Sequence, residues 1–87
     1  MLLMVIEQFH PHELSRIHER FSTHGRMLPP GVEYRASWID PAGLRCFQLM
    51  EAADPERLRD WVGRWDDLVD FDIVPVVTSD EFWREAR

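Results

Sequence analysis

A short polar stretch, VIEQFHPHE at residues 5–13, holds the side chains best suited to chemistry. Their carboxylate, amide and imidazole groups could build a metal site or an acid/base site, and they belong to Glu7, Gln8, His10, His12 and Glu13. A metal requires several ligands that converge on one point. Because alternation along a strand points Glu7 and Gln8 to opposite faces, convergence is disfavoured and we predict no metal here. Pro11 suits the first position of a helix, which makes His10 a neutral capping group in this interpretation.

A second polar cluster, DDLVDFD at residues 66–72, is rich in aspartate. It lacks the spacing and the glycine of an EF-hand loop, so it is typical of a solvated turn. The sequence contains no nucleophile elbow, phosphate-binding loop or dinucleotide-binding fingerprint. We therefore predict neither a metal nor a cofactor.

The composition favours one globular domain over residues 1–87, with 45% hydrophobic residues. The formal net charge is −6, and all ten cations are arginines that form no basic stripe. Nucleic-acid binding is therefore not expected, since it depends on clustered cations. The single cysteine, Cys46, lies in an apolar run and is expected to be an inert buried thiol.

The first ten residues, MLLMVIEQFH, contain an apolar run too short to span a membrane or to act as a secretory signal. The expectation is a cytoplasmic protein that does not bind membranes. A chain of this length has a thin core, which makes self-association the expected source of extra stability.

Four strands and two long helices must position the polar groups. Apolar runs predict strands at 2–9, 32–40, 44–52 and 69–77, and apolar stripes at helical spacing predict helices at 11–24 and 54–68. Thr78 and Glu81 have the spacing of a capping box, which indicates a short terminal helix. The order β-α-β-β-α-β predicts an α+β, ferredoxin-like fold with a four-stranded antiparallel sheet and both helices on one face.

The turn between the second and third strands, DPAG at residues 40–43, has the signature of a type I turn. If Gly43 is left-handed, the loop has three residues and a bulge, and Trp38 pairs with Cys46. A change of one residue in this turn would exchange the two faces of the hairpin. The choice of turn therefore decides which residues face the helices.

Under this register, the helix-covered face and the helices enclose a mainly apolar pocket with a few oriented polar groups. Its candidate ligand-binding residues are Gln8, His18, Tyr34, Trp38, Gln48, Trp61 and Trp65. Gln8 and Gln48 are expected to face one another across the pocket. The alternative is a solid core in which the two amides bond to one another or to backbone and the aromatic rings fill volume.

The opposite face of the sheet is left bare and carries too much apolar surface for a monomer. The residues assigned to it are Val5, Glu7, Phe9, Arg35, Phe47, Leu49 and Glu51. We predict a homodimer in which two such faces pack together, with Arg35 and a glutamate as complementary charges at the rim.

The stretches GRMLP, SW, RCFQLME, two further tryptophans and DLVDFDIVPVVTS follow one another at a characteristic spacing. In this respect the chain resembles the family catalogued as domain of unknown function 3303, over essentially its whole length. The resemblance implies the dimeric α/β barrel superfamily, which includes antibiotic-biosynthesis monooxygenases, haem-degrading enzymes and stress-responsive proteins. It implies no activity, because that superfamily is functionally mixed. It does imply a ligand site between the sheet and the helices of each subunit.

The preferred functional hypothesis is a protein that binds a small apolar or aromatic molecule in this pocket. One alternative is a cofactor-independent monooxygenase in which Gln48 or His18 stabilises a developing oxyanion. The other is a structural or protein-interaction module without a ligand. A cavity that touches Gln48 and Trp38 would support the first two, whereas a packed interior would leave only the third.

Overall fold

The computed structural model describes residues 1–86, which contain four strands and three α-helices. The elements are β1 (Leu2–Phe9), α1 (Leu14–His24), β2 (Glu33–Asp40), β3 (Arg45–Glu51), α2 (Arg59–Gly63), β4 (Val69–Val76) and α3 (Ser79–Glu85). A turn of 3₁₀ helix, Pro55–Leu58, leads into α2. The predicted α+β class, the four strands and the terminal helix are confirmed.

The four strands form one open antiparallel sheet in the order β2-β3-β1-β4. β1 lies inside the sheet, as expected of a strand that is apolar on both faces. β4 lies at an edge, where the missing N–H of Pro75 leaves no pairing group unsatisfied. The edge position that the proline predicts for this strand is therefore confirmed.

The loop between β2 and β3 differs from the predicted turn. Leu44, and not Gly43, has a positive φ, of 55°. The Asp40 side chain closes the loop by accepting hydrogen bonds at 3.1 Å from the backbone N–H groups of Ala42 and Gly43. A Cβ atom on Gly43 would lie 2.4 Å from Oδ2 of Asp40, so a larger residue here would displace the carboxylate that closes the loop.

This longer loop moves β2 by one residue against β3. Trp38 pairs with Phe47 and Ser37 pairs with Gln48, where the predicted register pairs Trp38 with Cys46. An irregularity between Tyr34 and Ala36 then restores the predicted partner of Tyr34. Trp38 consequently lies on the open face of the sheet, and its predicted place on the helix-covered face is wrong.

The faces of β1 are also exchanged relative to the prediction. Leu3 and Val5 are 0% exposed, and Glu7 is buried beside them on the helix-covered face. Gln8 lies on the opposite face and is exposed. The assignments of Val5, Glu7 and Phe9 to the open face are therefore wrong. The physical reason is that β1 is apolar on both faces, so alternation alone does not decide which face the helices cover.

The hydrophobic core lies between the sheet and the segment that contains α2. Its buried members are Leu3, Val5, Val32, Met50, Ala52, Leu58, Trp61 and Trp65. The predicted apolar stripe of the second helix is confirmed by Leu58, Trp61 and Trp65, although α2 itself covers only part of the predicted range. The chain there changes from 3₁₀ to α and then to turns, which still place these side chains on the sheet.

The first helix is shorter and less buried than predicted. Pro11 lies in a turn, His12 has a φ of 68°, and the helix begins at Leu14 with Glu13 as its N-cap residue. The predicted capping role of His10 is therefore wrong. Gly25, with a φ of 66°, ends the helix as expected. No residue of α1 is buried, which leaves space between this helix and the sheet.

The terminal helix α3 begins at the predicted capping box, where Oγ1 of Thr78 accepts a hydrogen bond from the backbone N–H of Glu81 at 3.1 Å. Phe82 and Trp83 project from it into solvent. Within residues 1–86, every helix is too short or too polar to cross a membrane.

Candidate functional site

A pocket of about 370 Å³ lies between α1 and the sheet. Strands β1, β2 and β3 form its floor, α1 forms one wall, and the segment around α2 forms another. Its lining is mostly apolar and consists of Glu7, Phe9, Leu14, Ile17, His18, Phe21, Arg26, Ser37, Ile39, Cys46, Gln48, Trp61 and Trp65. An apolar cavity with a few polar groups is the usual form of a small-molecule site.

The mouth of the pocket is apolar. Leu14 and Phe21 from α1 and Ile39 from the edge strand β2 are all exposed. Covering such side chains with an apolar ligand lowers the free energy of the complex, by about 25 cal/mol for each Å² of apolar surface removed from water. The rim of this pocket therefore favours an apolar ligand over water.

A buried carboxyl group lies at the floor. Glu7 on β1 and Gln48 on β3 are each 7% exposed, and the Gln48 side-chain amide donates a hydrogen bond from Nε2 to Oε2 of Glu7. The two residues occupy neighbouring strands, with Glu7 directly opposite Cys46. A buried amide is costly without partners, and Gln48 has one on each side, since its Oε1 accepts from Nε of Arg26 at 3.1 Å.

Burial sets the protonation of this carboxyl. Desolvation raises the pKa of Glu7 to about 7, against the smaller opposing effects of the Gln48 hydrogen bond and the positive charge of Arg26. Near neutral pH the group therefore exists in both protonation states. A carboxyl with these properties can accept a proton from a bound molecule or donate one to it.

Contacts to both its backbone and its side chain hold Arg26 in place. Its backbone carbonyl accepts hydrogen bonds from the indole Nε1 atoms of Trp61 at 2.9 Å and Trp65 at 3.1 Å. Its guanidinium carbon lies 3.7 Å from the centroid of the Tyr34 ring and 5.2 Å from that of Phe21. The loop that follows α1 thus presents a fixed cation to the pocket.

Cys46 lines the same pocket but is not a nucleophile. Burial and the negative charge of Glu7 raise the pKa of its thiol to about 12. The reactive form of cysteine is the thiolate, which is scarce at neutral pH under these conditions. This environment agrees with the prediction that Cys46 is an inert, buried thiol.

The structure brings four of the seven predicted ligand-binding residues to the pocket, namely His18, Gln48, Trp61 and Trp65. Tyr34 is exposed and does not line the pocket, but its hydroxyl is 2.7 Å from Oγ of Ser37 and its ring packs on Arg26. The remaining two residues, Gln8 and Trp38, lie on the opposite face of the sheet.

The predicted pairing of Gln8 with Gln48 is wrong. The Gln8 side chain donates from Nε2 to the backbone carbonyl of Gly43 at 3.0 Å, at the end of the hairpin loop. Gln48 instead pairs with Glu7, which sequence reasoning places on the open face. The exchange of faces along β1 accounts for both errors.

Arg26 was absent from the sequence prediction. It lies in the loop RMLPPG, and nothing in its neighbours along the chain connects it to Gln48, 22 residues away. For Glu7 the sequence contains only a conditional signal, because a carboxylate in an apolar strand requires a partner when its side chain faces the core. Ionisable residues in such strands are candidate site residues wherever the facing strand offers an amide.

The two polar clusters of the sequence make polar side-chain contacts at the surface. His10 lies 2.8 Å from Asp70, and Arg20 holds Asp67 through two hydrogen bonds, of 2.7 and 2.8 Å. The Arg20 guanidinium lowers the pKa of Asp67 to about 2. Across residues 1–86, His, Cys, Asp and Glu side chains do not group in threes as metal ligands.

Residues 1–85 match the model of a protein family described as domain of unknown function (DUF3303). This match covers all seven strands and helices described above. Comparison with curated proteins finds no match. Comparison with solved structures finds none either.

Proposed function

Since the chain belongs to the domain of unknown function 3303 family, whose description states no activity, we propose its function from the pocket: it binds a small apolar or aromatic molecule between α1 and the sheet. The main observation behind this proposal is an apolar cavity that has a single polar cluster at its floor. Glu7, Gln48 and Arg26 form this cluster. Apolar walls supply affinity, and a small number of fixed polar groups orients the ligand.

A purely structural interior would have a different form. Helix α1 would pack its apolar stripe against the sheet, whereas Leu14 and Phe21 remain exposed across the pocket. In a solid core, an apolar residue in place of Glu7 would cost little stability, so a buried carboxyl would not be needed there. Both features support a cavity that a ligand completes.

The binding proposal predicts that filling the pocket abolishes binding of an apolar probe. Ile17 lines the wall of α1, so the variant Ile17→Trp should weaken binding of N-phenyl-1-naphthylamine by about tenfold or more, because the indole occupies the ligand's volume. Fluorescence titration of the probe measures this directly, since its emission rises in an apolar environment.

The matched control is Ser22→Trp, which adds the same ring to an exposed position of α1 that does not line the pocket. Its affinity for the probe should equal that of the wild type. Equal binding by the Ile17→Trp variant would place the probe elsewhere and overturn the proposal.

We also propose that the fold is ferredoxin-like and that two copies form a dimeric α/β barrel. The strand order β2-β3-β1-β4 and the antiparallel pairing of β1 with both of its neighbours support the ferredoxin-like assignment. A cytoplasmic location for the protein is a further proposal, supported only by a sequence with a single cysteine and therefore without a disulfide framework.

The open face of the sheet supports the homodimer. Apolar side chains from all four strands share this face, by the alternation of the observed registers: Leu2, Met4, Ile6, Ala36, Trp38, Phe47, Leu49, Val74 and Val76. Trp38 is 56% exposed there. A second copy of the same face is self-complementary about a two-fold axis, and it would cover a patch larger than monomers usually expose.

Arg35 and Glu51 form an ion pair within one chain, so neither needs an opposite charge from a partner chain at the rim. Arg35 already forms ion pairs with Glu51 and, at 3.2 Å, with Glu33 of the same chain. The Arg35 guanidinium holds the pKa of Glu51 below its usual range. The proposed contact between copies therefore rests on the apolar residues, among which Phe47 and Leu49 keep their predicted face.

Leu49→Arg tests the dimer. Leu49 pairs with Met4 and Ala36 near the middle of the open face, so a charge there opposes burial against a second copy. Sedimentation velocity at about 50 μM should show a dimer for the wild type and a monomer for the variant, because dimers of this kind depend on an apolar centre. Ser22→Arg, on the outer side of α1, should leave the dimer intact. A monomeric wild type would refute the assembly.

A further inference from the structure

Arg26 offers the pocket a cation with unused donors. Its Nε donates to Gln48, and its guanidinium carbon lies against the Tyr34 ring. Within residues 1–86 the structure records no acceptor for its Nη1 and Nη2 groups, which carry four N–H donors. A guanidinium held flat with two free nitrogens matches the two oxygens of a carboxylate, and its fixed position reduces the entropy lost on binding.

In the pocket without a ligand, ionised Glu7 is the counter-ion of Arg26. The two groups are joined through the Gln48 amide, which donates to one and accepts from the other. The one hydrogen bond recorded for the Glu7 carboxyl within residues 1–86 is made to Oε2, so Oε1 is the atom available to the pocket. When Glu7 is protonated, Arg26 is left as an uncompensated charge beside apolar walls.

The other groups around Glu7 add no charge to the pair formed by Glu7 and Arg26. Cys46, opposite Glu7 on β3, stays a neutral thiol because its pKa is about 12. Trp61 and Trp65 face the pocket from the α2 segment, Phe71 pairs with Glu7 from β4, and none of the three ionises. His18 on α1 is the remaining ionisable side chain of the pocket wall, and it is tested separately below.

We propose that the ligand of this pocket is an apolar carboxylate, which replaces Glu7 as the counter-ion of Arg26 while Glu7 takes up a proton from solvent. This inference rests on the proposed binding function and names its ligand class. The carboxylate of the ligand binds the free Nη atoms of Arg26, and its apolar part lies against Phe9, Ile17 and Phe21. Protonated Glu7 then faces the ligand as a neutral hydrogen-bond donor instead of a second negative charge.

Calorimetry with two matched probes tests this exchange. The probes are 4-butylbenzoate and the uncharged 4-butylbenzyl alcohol, titrated in phosphate and in Tris buffer, whose ionisation enthalpies differ. Binding of the benzoate at about pH 8 should take up close to one proton. Its affinity should fall about tenfold per pH unit above about pH 7, whereas the affinity of the alcohol should not depend on pH.

Variants assign the exchange to its residues. Glu7→Gln should bind the benzoate without proton uptake and without pH dependence, because an amide replaces the protonated acid. Arg26→Met should lose the preference for benzoate over alcohol, and Arg26→Lys should retain part of it, since it keeps the charge and loses the fork. His18→Asn should leave proton uptake as in the wild type.

The two probes also separate this inference from the binding function on which it rests. If the alcohol binds as tightly as the benzoate at about pH 6, or if proton uptake persists in Glu7→Gln, the carboxylate inference is wrong and the binding function stands. If neither probe binds and N-phenyl-1-naphthylamine also fails to bind, both are wrong.

Discussion

Replacing Glu7 with glutamine should remove roughly 3 kcal/mol of pH dependence from the free energy of unfolding between about pH 5 and pH 8. Burial raises the pKa of Glu7 from its ordinary value of 4.5 to about 7. The folded state therefore binds this proton more tightly than the unfolded state does. The wild type is stabilised at low pH and loses that stability as the pH rises through about 7.

Urea denaturation of both proteins across this range measures the effect. Glu7→Gln should match the wild type near pH 5 and exceed it at pH 8, because glutamine keeps an acceptor for the Gln48 amide without a buried charge. The four histidines are present in both proteins and cancel in the difference. The acids with a lowered pKa, Asp40, Glu51 and Asp67, act at lower pH than this window.

Glu51→Gln is the matched control, since Glu51 lies on β3 but is paired with Arg35 at the surface. It should leave the slope between about pH 5 and pH 8 unchanged. A wild-type slope equal to that of Glu7→Gln would mean that the Glu7 carboxyl is solvated in solution, and the electrostatic account of the pocket floor would then be wrong.

Truncating Trp61 to alanine should lower the free energy of unfolding by about 4 kcal/mol, the usual range for a buried aromatic side chain. Trp61 is 2% exposed and packs edge to face on Phe71, with ring centroids 5.3 Å apart. It also donates to the backbone carbonyl of Arg26. Its loss removes core volume and one of the two hydrogen bonds that fix the Arg26 loop.

Two further variants separate these contributions in denaturation experiments at one pH. Trp61→Phe keeps most of the ring and should cost about 1 kcal/mol, because Trp65 still donates to the same carbonyl. Trp83→Ala, at a position that is 66% exposed on α3, should cost less than about 0.5 kcal/mol. Equal losses for Trp61→Ala and Trp83→Ala would contradict the position of the core.

The strands and their order along the chain are predictable because each strand is a distinct apolar run between turn residues. The second helix is predictable in its contacts, since Leu58, Trp61 and Trp65 all reach the core, but not in its form. Short segments that mix 3₁₀ and α geometry share the same spacing of buried side chains, so periodicity alone does not distinguish them.

The faces of the sheet could not be assigned from the sequence, and the pocket depends on them. β1 is apolar on both sides, so neither Glu7 nor Gln8 had a preferred face. In the hairpin, one added loop residue at Leu44 and an irregularity next to Tyr34 shift the partners of Trp38 while leaving Tyr34 opposite Met50. Such compensating changes do not alter the pattern of apolar residues.

Arg26 marks a second limit. Its role arises from tertiary contacts with Gln48, Tyr34, Trp61 and Trp65, which come from three other segments of the chain. Only the fold brings these groups together. By contrast, Trp61 and Trp65 were predicted as site residues because the apolar stripe of their segment already fixes the side on which they lie.

The most direct test of ligand binding between α1 and the sheet uses the indole N–H signals of the four tryptophans in a ¹H–¹⁵N spectrum. Trp61 and Trp65 line the pocket, whereas Trp38 lies on the open face and Trp83 on α3. Addition of N-phenyl-1-naphthylamine should shift the signals of Trp61 and Trp65 and leave the other two in place. Shifts confined to Trp38 or Trp83 would contradict the account.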